Sequence, residues 1–116
     1  MNPLTELTTD ILRFRDERNW AQFHSLRNLI VSLNLEAAEL LELTQWKSDA
    51  EVSAAASGPA RSALHDECAD VLIYLLLIAE CAGIDLLEAA RAKLLKNAAR
   101  YPVASSYGSS RKHPSP

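Results

Sequence analysis

Four carboxylates in this sequence are spaced to act together. Glu36 and Glu39 stand three residues apart, and so do Glu67 and Asp70. On a helix that spacing makes the members of each pair neighbours on one face. Their surroundings are apolar. Leu33, Leu35, Ala37, Ala38, Leu40 and Leu41 flank the first pair, and Cys68, Ala69, Val71 and Leu72 the second. A carboxylate beside a helical core is costly unless it is paired or bound to a metal. Two such pairs on neighbouring helices would form an oxygen-rich site suited to a hard cation, Mg2+ or Mn2+. The set contains no imidazole or thiolate, which argues against zinc. A di-iron bundle needs Glu-x-x-His pairs, and neither Glu36 nor Glu67 has a His three residues on. A single Glu-x-x-Glu is most often a solvated helix face, and Glu42 and Asp66 read that way.

The elements that must position these groups are helices. Leu4, Leu7, Ile11, Leu12 and Phe14 give a period near 3.6 over about Leu4 to Arg18. Residues 19–24, Asn-Trp-Ala-Gln-Phe-His, break it. Ser25 is placed to cap a second helix, from about Ser25 to Leu43, with Leu26, Leu29, Ile30, Leu33, Ala37, Leu40 and Leu41 on one stripe. Residues 47–60, which include Gly58-Pro59, read as a loop with room for a short helical turn. A third helix is expected from about Arg61 to Cys81, stopped by Gly83. A fourth, capped by Asp85, covers about Leu86 to Ala99, with Leu87, Ala90, Leu94 and Leu95 on its apolar face and Tyr101-Pro102 at its end. The spacing thus predicts an all-α chain, a four-helix bundle over residues 1–102. Residues 103–116, rich in Ser, Pro and Gly, are expected to be a disordered tail. The third helix is apolar nearly all round between Val71 and Ala79. Such a helix is either the centre of a bundle or part of a subunit interface, and a chain this small favours an oligomer.

Composition supports this reading. Among 116 residues there are 19 Leu, 18 Ala and only 3 Gly, which favours helix over sheet. The length suits one domain with its own core. A net charge of −3 argues against a basic nucleic-acid-binding surface. The longest apolar run, Val71 to Ala79, falls short of the roughly 20 residues of a membrane helix, and no leader peptide is expected at the N-terminus. Cys68 and Cys81 do not make a disulfide framework and suit a reducing cytoplasm. The charge is unevenly distributed, −9 over residues 1–88 and +6 over residues 89–116. An acidic body with a basic last helix would suit an anionic ligand held through a cation.

The motif Glu36-Ala37-Ala38-Glu39, followed after a loop by Glu67-Cys68-Ala69-Asp70, resembles the Glu-x-x-Glu … Glu-x-x-Asp signature of the MazG-like all-α nucleoside triphosphate pyrophosphatases. The flanks extend the likeness. Residues 20–29, Trp-Ala-Gln-Phe-His-Ser-Leu-Arg-Asn-Leu, and 43–49, Leu-Thr-Gln-Trp-Lys-Ser-Asp, are similar to the branch of that family that acts on dCTP. So are Asp70 to Leu75 and the closing pattern of Lys93, Asn97, Arg100, Tyr101 and Pro102. The resemblance covers about residues 5–102. It implies a hydrolase that splits a (d)NTP into the monophosphate and pyrophosphate, with Glu36, Glu39, Glu67 and Asp70 as ligands of Mg2+ or, in its place, Mn2+. One of Glu36 and Glu39 would instead position or deprotonate the water. Lys93, Asn97 and Arg100 are candidates for phosphate contacts, since Lys93 and Asn97 share a helix face. Trp20, His24, Asn28, Trp46 and Tyr74 are candidates for the nucleoside pocket. The resemblance further implies a homo-oligomer, a tetramer in preference to a dimer, and a role in removing unwanted nucleotides, with dCTP or a modified cytosine nucleotide as substrate. Two competing readings stand beside it: a non-enzymatic helical interaction module, and a phosphohydrolase for a different nucleotide.

Overall fold

The computed structural model describes residues 2–112; Met1 and residues 113–116, the end of the segment expected as a tail, lie outside the described residues. Among the described residues all regular structure is helical: α1 (Pro3–Glu17), α2 (Leu26–Glu42), α3 (Asp49–Ala55), α4 (Arg61–Ala82), α5 (Leu86–Arg100) and α6 (Val103–Ser106), with a 3-10 turn over Ala21–Phe23. The four long helices are those the apolar periodicity predicts. The short α6 falls within the segment expected as a tail.

Local chemistry sets the boundaries. Asn2 accepts from the Thr5 N–H at 2.9 Å and Pro3 opens the first turn of α1, where its missing N–H costs nothing. Ser25 accepts from the Asn28 N–H at the start of α2, and Asp85 from the Glu88 N–H at the start of α5. Gly83 ends α4 at φ +69°, a left-handed conformation that a side chain would strain. The stretch read as a loop contains a true helix, α3. Ser48 and Glu51 form a reciprocal capping box, each side chain bonding the other's backbone N–H at 3.2 Å.

The chain divides into two compact units, one ending at Gly83 and one beginning at Ile84. In the first, α4 packs along α2 and against α1. The interior is small: Ile11 from α1, Leu29 from α2, and Leu76, Leu77 and Ala79 from α4 are the buried apolar residues among those described. Removing a Leu side chain from such a position typically costs about 2–5 kcal/mol. Much of the remaining apolar surface is uncovered. Leu35 is 61% exposed and Leu41 68%, and Leu72 and Leu75 on α4 keep over a third of their surface. The second unit carries α5 and α6, on which Leu94, Leu95 and Val103 are also exposed. No described helix is long and apolar enough to cross a membrane.

Candidate metal centre and adjoining cavity

Because α2 and α4 run along each other, the two carboxylate pairs face a common space. One oxygen each from Glu36, Glu67 and Asp70 lies within 4.8 Å of the others, and all three residues are half-buried. Oε2 of Glu36 and Oε2 of Glu67 are buried without a hydrogen-bond partner. Anionic oxygens buried without donors are expensive. A hard divalent cation coordinated by oxygens would satisfy them, so the residues fit such an ion and the cluster could hold one.

The electrostatics record the same crowding. Burial first, then the Glu39 carboxyl, then the charges of Asp70 and Glu67 push Glu36 up to about 7. Glu67 is raised too, by burial first and then by the carboxyls of Glu39 and Asp70. Glu39 therefore acts on both groups, yet it is exposed and stands outside the group of three. Glu42 and Asp66 are exposed, as a solvated face requires.

Asp70 also lines a cavity of about 370 Å³ between α1 and α4, together with Arg15, Trp20, His24 and Tyr74. A second hollow of about 230 Å³ shares Trp20, His24 and Tyr74 and adds Asn28 and Ser32 from α2. The fold thus gathers four of the five residues expected at the nucleoside pocket. The segment between α1 and α2 does this work. Asn19 takes a left-handed φ of +54°, the Trp20 N–H donates to the Arg15 carbonyl at 3.0 Å, and the 3-10 turn follows. Trp20 meets the ring of Phe14 edge-on, with centroids 5.7 Å apart. The Asn28 amide donates to the Phe23 carbonyl at 3.1 Å, tying the turn to α2. His24 is held below its usual pKa, by burial first and then by the Arg15 charge. Its Nδ1 is buried with no partner. Tyr74 stands one helical turn beyond Asp70, which puts both in one lining.

The other expected residues are not in the lining of either hollow. Trp46 is 93% exposed at φ +63°, in the turns after α2, and lines neither hollow. Lys93, Asn97 and Arg100 belong to α5 in the second unit; Lys93 is exposed, and the Arg100 guanidinium lies 5.3 Å from the Tyr101 ring centroid. The sequence reading did not single out Arg15. Its signal was present: Arg15 follows the buried Ile11 by four residues, so it occupies the inward stripe of α1.

Known proteins resemble this chain in sequence and in fold. A model of the MazG-like family matches residues 31–113. dCTP pyrophosphatase 1 of Rattus norvegicus is 48% identical over 101 residues, and that of Homo sapiens 45%; each alignment covers 86% of this chain. The chain spans 59% of the length of these relatives. A pyrophosphatase from Archaeoglobus fulgidus, known from its crystal structure, superposes with a TM-score of 0.82 at 39% identity, covering 88% of this chain and 94% of that one. With its motif, its all-helical fold and its carboxylate cluster in agreement, this chain belongs to the MazG-like family.

Proposed function

We propose that this protein is a Mg2+-dependent nucleoside triphosphate pyrophosphohydrolase that converts dCTP, or a modified cytosine nucleotide, to the monophosphate and pyrophosphate. The observation that carries the reading is the junction of two features. Three carboxylates with orphaned oxygens converge, and one of them, Asp70, also lines an aromatic cavity. The relatives named dCTP pyrophosphatase 1 supply the substrate.

Glu36, Glu67 and Asp70 would hold the ion. Bound there, Mg2+ supplies charge neutralisation at phosphate oxygens and acidification of nearby water. Glu39, exposed and outside the group of three, takes a proton from the attacking water. The water oxygen bonds to the α-phosphorus, and the bond to the bridging oxygen breaks as pyrophosphate leaves. Trp20 and Tyr74 flank the base or sugar, with His24 and Asn28 on the adjoining wall. Lys93, Asn97 and Arg100 are the residues that the family resemblance assigns to phosphate contacts. Residues 1–102 form the catalytic domain. The active species is a homo-oligomer, a tetramer, in which copies cover the exposed Leu35, Leu41, Leu72 and Trp46. Its role is to cleanse the nucleotide pool, in the cytoplasm.

The test is hydrolysis of a panel of canonical and modified dNTPs with and without Mg2+, separating monophosphate plus pyrophosphate from diphosphate plus phosphate. dCMP release that is Mg2+-dependent and abolished in Glu39→Ala and Asp70→Ala supports the reading. A folded protein that turns over no nucleotide with Mg2+ or Mn2+ overturns it.

A further inference from the structure

Arg15 is unusually placed for a cation. It is a cation on the inward stripe of α1, its side chain only 24% exposed, in the lining that also holds Asp70, Trp20 and Tyr74. A guanidinium is rarely drawn inward without something to meet. Its orientation is fixed from one side. Nε donates to Asp16 Oδ1 at 2.8 Å and Nη2 approaches the same oxygen at 2.8 Å. Asp16 itself is largely exposed. Nη1 has no hydrogen-bond partner among the described residues. Around it the cavity is mostly aromatic and aliphatic, with Phe14, Ile73 and Leu77 in its wall and Asp10 and Asp70 as its carboxylates. That surface suits a flat base better than a triphosphate, whose charge the carboxylate cluster and its ion would attract.

We infer that Arg15 is a specificity residue, donating from its guanidinium to the N3 and O2 acceptors of a cytosine held between Trp20 and Tyr74. This rests on the proposed (d)NTP reading and adds to it how the base is chosen. Guanidinium nitrogens only donate. Cytosine presents N3 as an acceptor next to the O2 acceptor, whereas thymine and uracil carry N3–H, which would face a donor with a donor. A charged donor left without its acceptor inside a cavity costs more than a lost neutral hydrogen bond. Arg15 therefore favours cytosine over thymine without touching the reacting phosphorus.

The test compares wild type, Arg15→Ala and Arg15→Lys in Mg2+-dependent hydrolysis of dCTP, dTTP and dATP. Melting curves establish that each variant is folded, and Arg15→Lys, which keeps the charge and the aliphatic stem, carries the test should Arg15→Ala not fold. The expected result for Arg15→Ala is a KM for dCTP raised about 10- to 100-fold, with kcat within about threefold. The preference for dCTP over dTTP should fall by at least about tenfold. Arg15→Lys should keep part of the affinity and lose much of the preference, because a point charge lacks the fork. An unchanged KM and preference in both variants overturns the inference. So does an equal rise in KM for all three nucleotides, which would assign Arg15 to the phosphates. In either case wild-type dCMP release leaves the pyrophosphohydrolase reading standing. A wild type that hydrolyses no nucleotide removes both.

Discussion

The carboxylate cluster and the aromatic cavity meet at Asp70 but are built on opposite principles. In the cluster, three acidic side chains converge and two oxygens are buried without partners. Such crowding costs the fold stability unless a proton or a cation relieves it. In the cavity, the side chains support one another: Trp20 packs on Phe14, Asn28 bonds the turn, and the Trp20 N–H caps the end of α1. The first region is crowded with like charge, whereas in the second the aromatic packing and the turn hold without a ligand and His24 Nδ1 is the buried atom left without a partner. Substitutions should therefore move stability in opposite directions in the two places while both impair catalysis.

The largest effect is expected at the cluster. Glu67→Gln or Asp70→Asn should lower Mg2+-dependent dCTP hydrolysis by at least about 100-fold, since each removes a charged ligand. The same substitutions should raise, or at least not lower, the melting temperature in EDTA, because each relieves like-charge repulsion. Paired activity and calorimetry experiments check this. A metal-free variant clearly less stable than wild type would mean that the carboxylates are structural and would break the comparison.

Trp20→Ala should act the other way on stability. Loss of a base-stacking surface is worth about 1–3 kcal/mol, so KM should rise roughly tenfold or more, with Mg2+ affinity unchanged. Because Trp20 also packs on Phe14, the protein should melt lower with or without metal. Titration of Mg2+ by calorimetry alongside steady-state kinetics separates the two effects.

How much of this was legible in the sequence follows from what each region asks of it. The cluster was legible because a fixed spacing on two apolar helices admits few arrangements. The starts at Ser25 and Asp85 and the stop at Gly83 were legible because each cap has a side-chain or backbone cause. The cavity was legible only in its residue types. Its geometry depends on Asn19 turning left-handed, which no periodicity signals. Arg15 escaped because α1 was read for its apolar stripe alone. α3 escaped because Ala and Ser give no period and none of its residues is buried; its one signal was the Ser48-x-x-Glu51 box. Trp46 has the type of a pocket residue, but its exposed position after α2 lies outside both hollows.

That box yields a smaller prediction. Ser48 holds the Glu51 carboxyl below its usual pKa by its backbone N–H first and then its hydroxyl. Ser48→Ala should cost about 1 kcal/mol of stability, the usual worth of such a cap. Neither the carboxylate cluster nor the aromatic cavity includes α3, so Mg2+ affinity and KM should hold. Urea unfolding with Mg2+ titration checks both, and a loss of metal affinity would tie α3 to the cluster.

The smallest effect sharpens the contrast most directly, because pH acts on the cluster without altering a residue. Glu36 is raised to about 7 in the folded protein, against an ordinary value of 4.5. Between those values the folded state binds a proton that the unfolded chain does not. Stability from this group is therefore fully present below pH 4.5 and is lost as pH rises through about 7. Glu67, raised in the same direction, adds to the trend. Discounted for surrounding solvent, the swing at Glu36 is under about 1 kcal/mol. In EDTA, then, the melting temperature should fall by a small amount between pH 5 and 7, and Glu36→Gln should flatten the slope. Saturating Mg2+ should flatten it as well, since a bound cation keeps the carboxylates ionised. A fall that persists in Glu36→Gln would move its origin to Glu67, which is raised in the same direction. His24 gives the opposite sign at low pH, because its lowered pKa makes protonation destabilise the fold. The direction of the slope alone therefore tells which of the two regions is titrating.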